Sequence, residues 1–123
     1  EEDQLLPKKI ESMAGQKFIA VSAGQHSLAI TADGAVWSWG NGGHGQLGHG
    51  DLQQLLLPKK IEALAGRRVV ALSAGYSHSI ALTAGGAVFT WGKGDDACLG
   101  HGDDLSNQLL PKKIEAWERE PGQ

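Results

Sequence analysis

The sequence contains five histidines, the residue type most often used for metal binding and for proton transfer near neutral pH. They are His26, His44, His49, His78 and His101. Their spacings match neither a histidine pair on one helical turn nor the cysteine–histidine pattern of a zinc site. Four of them recur at matched points of a repeated text, whereas a catalytic centre is normally needed once. The histidines therefore predict neither a metal site nor a catalytic residue.

Two of the repeated histidines begin a strand-like segment and two lie in a glycine-rich segment. His26 and His78 begin HSLAIT and HSIALT, and His49 and His101 lie within two copies of LGHGD. We expect His26 and His78 to hydrogen-bond backbone groups near a loop, a structural role that recurs in each copy. We expect His49 and His101 to be exposed to solvent.

The glycine-rich segment between Gly42 and Gly50 has the composition of a phosphate-binding loop but not its pattern. No Lys-Ser or Lys-Thr pair follows it, and no helix begins there. Asp51 and Asp103 end the two such segments, and we expect them to accept backbone hydrogen bonds in turns. The sequence thus predicts no cofactor and no enzymatic activity.

The segments that position these residues occur twice. The text PKKIE begins at Pro7, Pro58 and Pro111, which are 51 and 53 residues apart. Between these points, FIAVSAG, HSLAIT, AVWSWG and LGHGD correspond to VVALSAG, HSIALT, AVFTWG and LGHGD. A period near 50 residues is typical of the blades of a β-propeller.

Most of the repeated segments predict β-strands, because short runs rich in Val, Ile, Leu, Thr and Trp are bounded by Gly, Asp or Pro. Each repeat has four predicted strands: one that ends in SAG, one that begins with HS, one that ends in WG, and one formed by PKKIE. Residues 32–34 and 84–86 supply the hairpin turns. The predicted fold is all-β, with two propeller blades of four antiparallel strands. Trp39 and Trp91 occupy the same position in each repeat and are predicted to pack between blades. Gly24 and Gly75 are predicted to be structural.

The consensus V-x-x-x-S-A-G-x-x-H-S-x-A-L-T, G-x-V-x-x-W-G, G-x-L-G-x-G-D and P-x-x-I resembles the regulator of chromosome condensation (RCC1-like) repeat. The resemblance covers about residues 5–117. The first copy departs from the consensus at one point. Gln25 alone separates Gly24 from His26, where two residues separate Gly75 from His78. We expect the two copies to differ in this loop.

The repeats divide the chain into a spare outer strand at about 5–12, blade 1 at about 17–62, blade 2 at about 68–117 and a tail at 118–123. The resemblance implies a ring, usually of seven blades, and two blades alone would leave flat apolar faces uncovered. We expect the chain either to be excerpted from a longer protein or to be completed by other copies. Identical two-blade chains would close a ring of six or eight blades.

Bulk composition limits the partners and the compartment. The formal net charge of -3 gives no overall attraction to nucleic acid, and no apolar run approaches the roughly 18 residues of a membrane span. The paired lysines of PKKIE lie beside a glutamate, which is typical of a charged edge strand that resists aggregation. The single cysteine, Cys98, cannot form an internal disulfide and favours a cytoplasmic or nuclear location.

The function that these features favour is a non-enzymatic scaffold that binds protein partners, because propeller strands hold loops rigidly at a rim. The candidate contact residues lie in the loops after the first and third strands of each repeat, where the two copies differ. They are Gln25, Tyr76, Ser77, Asn41, His44, Lys93, Asp95 and Asp96.

The resemblance implies two alternative functions. The founding family member exchanges guanine nucleotide on a Ran-like GTPase and binds chromatin, but the loops here are short and contain no wedge-like insertion. The plant UV-B receptor has similar repeats and uses tryptophans in a Gly-Trp-Arg-His-Thr motif. Residues 24–27 and 75–79, which correspond to that motif, contain neither Trp nor Arg.

Overall fold

The computed structural model describes residues 15, 17–94, 99–101 and 104–115. These residues form eight β-strands, namely β1 (Phe18–Ala23), β2 (His26–Thr31), β3 (Val36–Gly40), β4 (Leu55–Lys60), β5 (Val69–Ala74), β6 (His78–Thr83), β7 (Val88–Gly92) and β8 (Gln108–Lys113). A 3-10 turn, Glu62–Leu64, follows β4. In the described part of the chain, no helix is long and apolar enough to cross a bilayer. The spare strand at 5–12 and the tail at 118–123 lie outside the described residues.

The strands form two four-stranded antiparallel sheets, in the orders β1-β2-β3-β4 and β5-β6-β7-β8. This confirms the predicted all-β fold of four-stranded blades. The hairpin glycines Gly34 and Gly86 both have a φ of 92°, a region that other residues rarely adopt. The fourth strand of each sheet, β4 or β8, begins three residues before the PKKIE segment and includes its proline, Pro58 or Pro111. Proline is tolerated there because β4 and β8 each pair with one strand of their own sheet.

The one-residue difference between the repeats changes a loop and leaves the strand pairing unchanged. In the first sheet the Gly24 amide donates to the His26 carbonyl at 2.8 Å, and in the second the Gly75 amide donates to the His78 carbonyl at 2.8 Å. His26 lies opposite Gly40 just as His78 lies opposite Gly92. The loops that follow β1, β3, β5 and β7 therefore all lie at the same ends of the strands. We call this side of the sheets the rim edge.

The two sheets pack face to face. Residues directly opposite each other on antiparallel neighbours share a face, which divides each sheet into two sets. The front faces carry His26, Leu28 and Ile30 in the first sheet and His78, Ile80 and Leu82 in the second. The back faces carry Ser27, Ala29 and Trp39 in the first sheet and Ser79, Ala81 and Trp91 in the second. The front of the first sheet covers the back of the second, and the core between them includes Leu28, Ile30, Ala81 and Trp91.

Candidate functional site

The loops after β1 and β5 touch each other at the rim edge. A Cβ atom on Gly24 would lie 2.8 Å from the Gly75 carbonyl oxygen, so only glycine allows the two loops to approach this closely. Gln25 and Tyr76 follow these glycines and are both exposed, with Tyr76 at 74%. The contact between the glycines thus brings the two loops that carry Gln25 and Tyr76 together at the rim edge.

The loop after β3 is held in shape by its own polar groups. Asn41 Oδ1 accepts a hydrogen bond from the Gly43 amide at 2.9 Å, and Gln46 Oε1 accepts one from the His44 amide at 2.8 Å. The Asn41 amide donates to the Gln25 carbonyl at 3.4 Å. Asn41 is exposed and His44 is half-buried. Gln25, Asn41 and Tyr76 therefore form one surface, the rim patch.

The remaining candidate contact residues are less accessible or lie outside the described residues. Ser77 is only 8% exposed, so its side chain is not presented to a partner and it leaves the candidate set. Its carbonyl accepts from the amide of Lys93 at 2.9 Å, and Lys93 is half-buried. Asp95 and Asp96 lie outside the described residues.

A histidine and a serine link the two sheets beneath the rim. His26 Nε2 lies 2.7 Å from Ser79 Oγ, which in turn donates to the Gln46 carbonyl at 2.8 Å. Because the serine has one proton and gives it to that carbonyl, His26 Nε2 must carry the proton of its own bond. Burial, helped by the nearby His78, lowers the pKa of His26 from 6.5 to about 4. The prediction that His26 bonds a backbone group is wrong, since its partner is a side chain of the other sheet.

His49 and His101 were predicted to be exposed to solvent, and this prediction is wrong. Each is half-buried, with Nε2 2.8 Å from Ser38 Oγ and 2.9 Å from Thr90 Oγ1 respectively. The two hydroxyls donate to backbone carbonyls at 2.8 and 2.7 Å, so again the imidazole donates. Burial lowers the pKa of both histidines. A hydroxyl residue 11 positions before each histidine was the sequence signal for these pairs.

The direction of these bonds decides what the histidine–hydroxyl pairs can do. In a nucleophilic pair the imidazole accepts the hydroxyl proton and so activates the oxygen. Here the hydroxyl proton goes to a carbonyl and the imidazole donates, which holds a loop in place and activates nothing. In the described part of the chain, no group of three or more His, Cys, Asp or Glu side chains could hold a metal ion.

Comparison with known families agrees with the repeat geometry. A family model described as the regulator of chromosome condensation (RCC1) repeat matches residues 33–82 and 85–120, and a second model of that description matches 18–46 and 69–98. The chain belongs to the RCC1 repeat family. These matches confirm the two RCC1 repeats expected from the sequence.

Relatives share the RCC1 repeats within longer proteins. The chain is 46% identical over 120 residues to the mouse E3 ubiquitin-protein ligase HERC2, covering 95% of the chain and 2% of HERC2. It is 38% identical over 116 residues to the Arabidopsis thaliana ultraviolet-B receptor UVR8, covering 94% of the chain and 26% of that receptor. The chain therefore spans 2% of the length of HERC2 and 26% of the length of the receptor.

Two solved structures share the fold. Human WBSCR16 superposes with a TM-score of 0.73 at 29% identity, over 85% of the chain and 26% of that protein. Prp20p of Saccharomyces cerevisiae superposes with a TM-score of 0.74 at 24% identity, over 83% of the chain and 26% of Prp20p. Both support the assignment of the two sheets as RCC1-type propeller blades.

Proposed function

We propose that the chain is a non-enzymatic scaffold that binds protein partners through the rim patch. The observation that carries the proposal is the contact between Gly24 and Gly75, which sets exposed Gln25 beside exposed Tyr76 on a fixed backbone. Tyrosine offers a large amphipathic surface at a low cost in side-chain entropy, which is why it is common where proteins bind each other. Asn41 adds a polar group whose loop is already ordered.

Proteins that share the fold support a protein partner. Prp20p is described by its binding to Gsp1p and histones, and a further structure shows Kap60 bound to yeast RCC1. Gsp1p, histones and Kap60 are accordingly suitable probes, each tested separately by biolayer interferometry. Replacing Gln25 and Tyr76 together by alanine is expected to weaken binding of the responding probe at least about tenfold, because interface energy concentrates in aromatic anchors.

The control for this test lies at the opposite edge of the sheets. Ala32 and Ala84 are exposed turn residues there, and replacing both by serine should leave binding unchanged. If the opposite-edge variant loses as much affinity as the rim variant, or if the rim variant binds like the unchanged chain, the rim patch is not the contact surface.

Guanine-nucleotide exchange on a Ran-like GTPase is the second candidate function, supported by the fold match with Prp20p. Acceleration of GDP release from Gsp1p well above the spontaneous rate would favour exchange over plain binding. Photoreception is not supported, because residues 24–27 and 75–79 contain neither Trp nor Arg despite the similarity to UVR8.

We also propose that copies of the chain associate into a closed ring of six or eight blades. Support comes from the apolar side chains left uncovered on the two outer faces, including Val21 at 72% exposure and Leu82 at 38%. Three chains of 13.0 kDa give about 39 kDa and four give about 52 kDa. Sedimentation should return one of these masses, and a folded monomer at high concentration would contradict the ring.

A further inference from the structure

Two sheet faces are uncovered in the part of the chain that the structure describes, and each of them has a covered counterpart in the other sheet. Given the proposed self-association, on which this depends, we infer that the front of the second sheet of one copy receives the back of the first sheet of another copy. The joint would repeat the contact that the two sheets already make with each other. The occupant of both uncovered faces is thus a second copy of this chain, added head to tail.

The uncovered back face of the first sheet matches the covered back face of the second. Trp91 is fully buried between the sheets, whereas its counterpart Trp39 is half-buried. Leu72 is half-buried, whereas its counterpart Val21 is 72% exposed. The same apolar positions are present in both repeats, so the first sheet has the surface that a preceding sheet would cover.

The uncovered front face of the second sheet shows the converse pattern. His26, Leu28 and Ile30 of the first sheet are at most 1% exposed beneath the second sheet. Their counterparts are open to different degrees: His78 and Ile80 are half-buried, and Leu82 is 38% exposed. This face therefore has the side chains that bind a following sheet, and no following sheet is present among the described residues.

The polar link between the sheets specifies how the two faces would meet. His26 donates to Ser79, and the repeat alignment makes His78 and Ser27 the equivalent pair across the new joint. Ser79 is fully buried where it is bonded, and Ser27 is half-buried. A His78–Ser27 bond would fix the register of one copy on the next.

Backbone contacts at the edge opposite the rim edge, where the hairpin turns at 32–34 and 84–86 lie, repeat in the same way. The Gly34 carbonyl accepts from the Val69 amide at 3.1 Å, and a Cβ on Gly34 would lie 2.8 Å from the Arg68 Cα. Its counterpart Gly86 is exposed, and a Cβ there would meet nothing within 4 Å. The space that Arg68 and Val69 occupy beside Gly34 is open beside Gly86, as the arrival of another copy requires.

The loops after β3 and β7 supply the last matched contact. Gly48 lies against the indole of Trp91, where an added Cβ would be 2.9 Å from Nε1. Its counterpart Gly100 is exposed and is available to lie against Trp39 of the next copy. Two copies that met front to front would instead oppose His78 to His78 and supply neither the serine nor the indole. The contacts therefore favour head-to-tail addition, which continues until a ring closes.

The test uses two variants that each block one face. Val21→Glu places a charge on the back of the first sheet, and Ile80→Glu places one on the front of the second. Each variant alone should be a folded monomer of 13.0 kDa. Mixed in equal amounts, they retain one compatible pair of faces and should form a dimer of two chains, about 26 kDa, that grows no further. Circular dichroism checks folding, and Leu82→Glu replaces Ile80→Glu if the latter does not fold.

A matched control changes an apolar residue to glutamate away from both faces. Leu52 is 55% exposed although its sheet is followed by the second sheet. Its counterpart Leu105 is 50% exposed although its sheet is preceded by the first sheet. Neither neighbour covers this position, so Leu52→Glu should assemble like the unchanged chain.

The outcomes separate this interface from the proposals on which it depends. If the unchanged chain is monomeric, self-association and the head-to-tail interface both fail. If it assembles but either single variant assembles equally well, or if the mixture stays monomeric, self-association stands and this interface is wrong. Binding of Gsp1p, histones or Kap60 at the rim patch is measured separately and is unaffected by either result.

Discussion

Replacing Trp91 by alanine should lower the free energy of unfolding by about 3 to 5 kcal/mol, the usual cost of deleting a buried large aromatic side chain. Trp91 is 0% exposed and lies between the two sheets. Trp39 has the same position in the first repeat but is half-buried, so Trp39→Ala should cost less than half as much in the monomer. The two tryptophans are equivalent in sequence and differ in whether a neighbouring sheet covers them.

Urea denaturation measures both losses, and the Ile80→Glu background keeps assembly from covering Trp39 during the measurement. Trp91→Phe serves as the control because it keeps most of the apolar volume and removes the buried indole N–H. It should recover a substantial part of the loss of Trp91→Ala. Equal losses for Trp39→Ala and Trp91→Ala would contradict the arrangement of the sheets described above.

The sequence was sufficient to predict the strands and their grouping into blades, because these depend on local patterns that occur twice. Segments such as VWSWG are short, rich in Trp, Val and Ser, and bounded by Gly, so their strand character does not depend on distant residues. The hairpin turns at Gly34 and Gly86 were predicted for the same reason. Both glycines have a positive φ, and a glycine between two strand segments is a local signal for such a turn. The same strand pattern occurs in both copies of the repeat.

The contact between the sheets could not be predicted in the same way. Ser79 is 53 residues from His26, and nothing in the local text of either residue identifies the other as its partner. The burial of Ser77 likewise follows from how the second sheet sits against the first. Repetition shows which residues are equivalent, and only the packing shows which of two equivalent residues is covered.

The pairs formed by His49 and His101 were within reach of the sequence but were missed. The predicted exposure came from their glycine-rich surroundings, which suggested an open loop. Ser38 and Thr90 precede them by the same interval, and both carry a hydroxyl on strands whose neighbouring positions are large and apolar. A small polar residue retained in both copies of an apolar strand indicates a partner, because a buried hydroxyl needs one.

His26 leads to the second prediction, which concerns stability against pH. Its pKa is lowered to about 4 in the folded chain, while the unfolded chain should titrate near the ordinary value of 6.5. Between these values the unfolded state binds more protons than the folded state, so the stabilisation is complete above about pH 6.5 and is lost as the pH falls towards 4. We expect the loss from this residue to be about 1 to 3 kcal/mol.

The variant that isolates this effect is His26→Gln, since a glutamine amide can still donate to Ser79 and does not titrate between pH 4 and 7. His49 and His101 also have lowered pKa values and should contribute a loss of the same sign in both proteins. The difference between the two proteins therefore reports His26 alone. Urea denaturation at pH 7, 5.5 and 4.5 should give a steeper loss of unfolding free energy in the unchanged chain than in the variant. Parallel profiles would mean that His26 takes up a proton as readily in the folded chain as in the unfolded one, which its burial against Ser79 forbids.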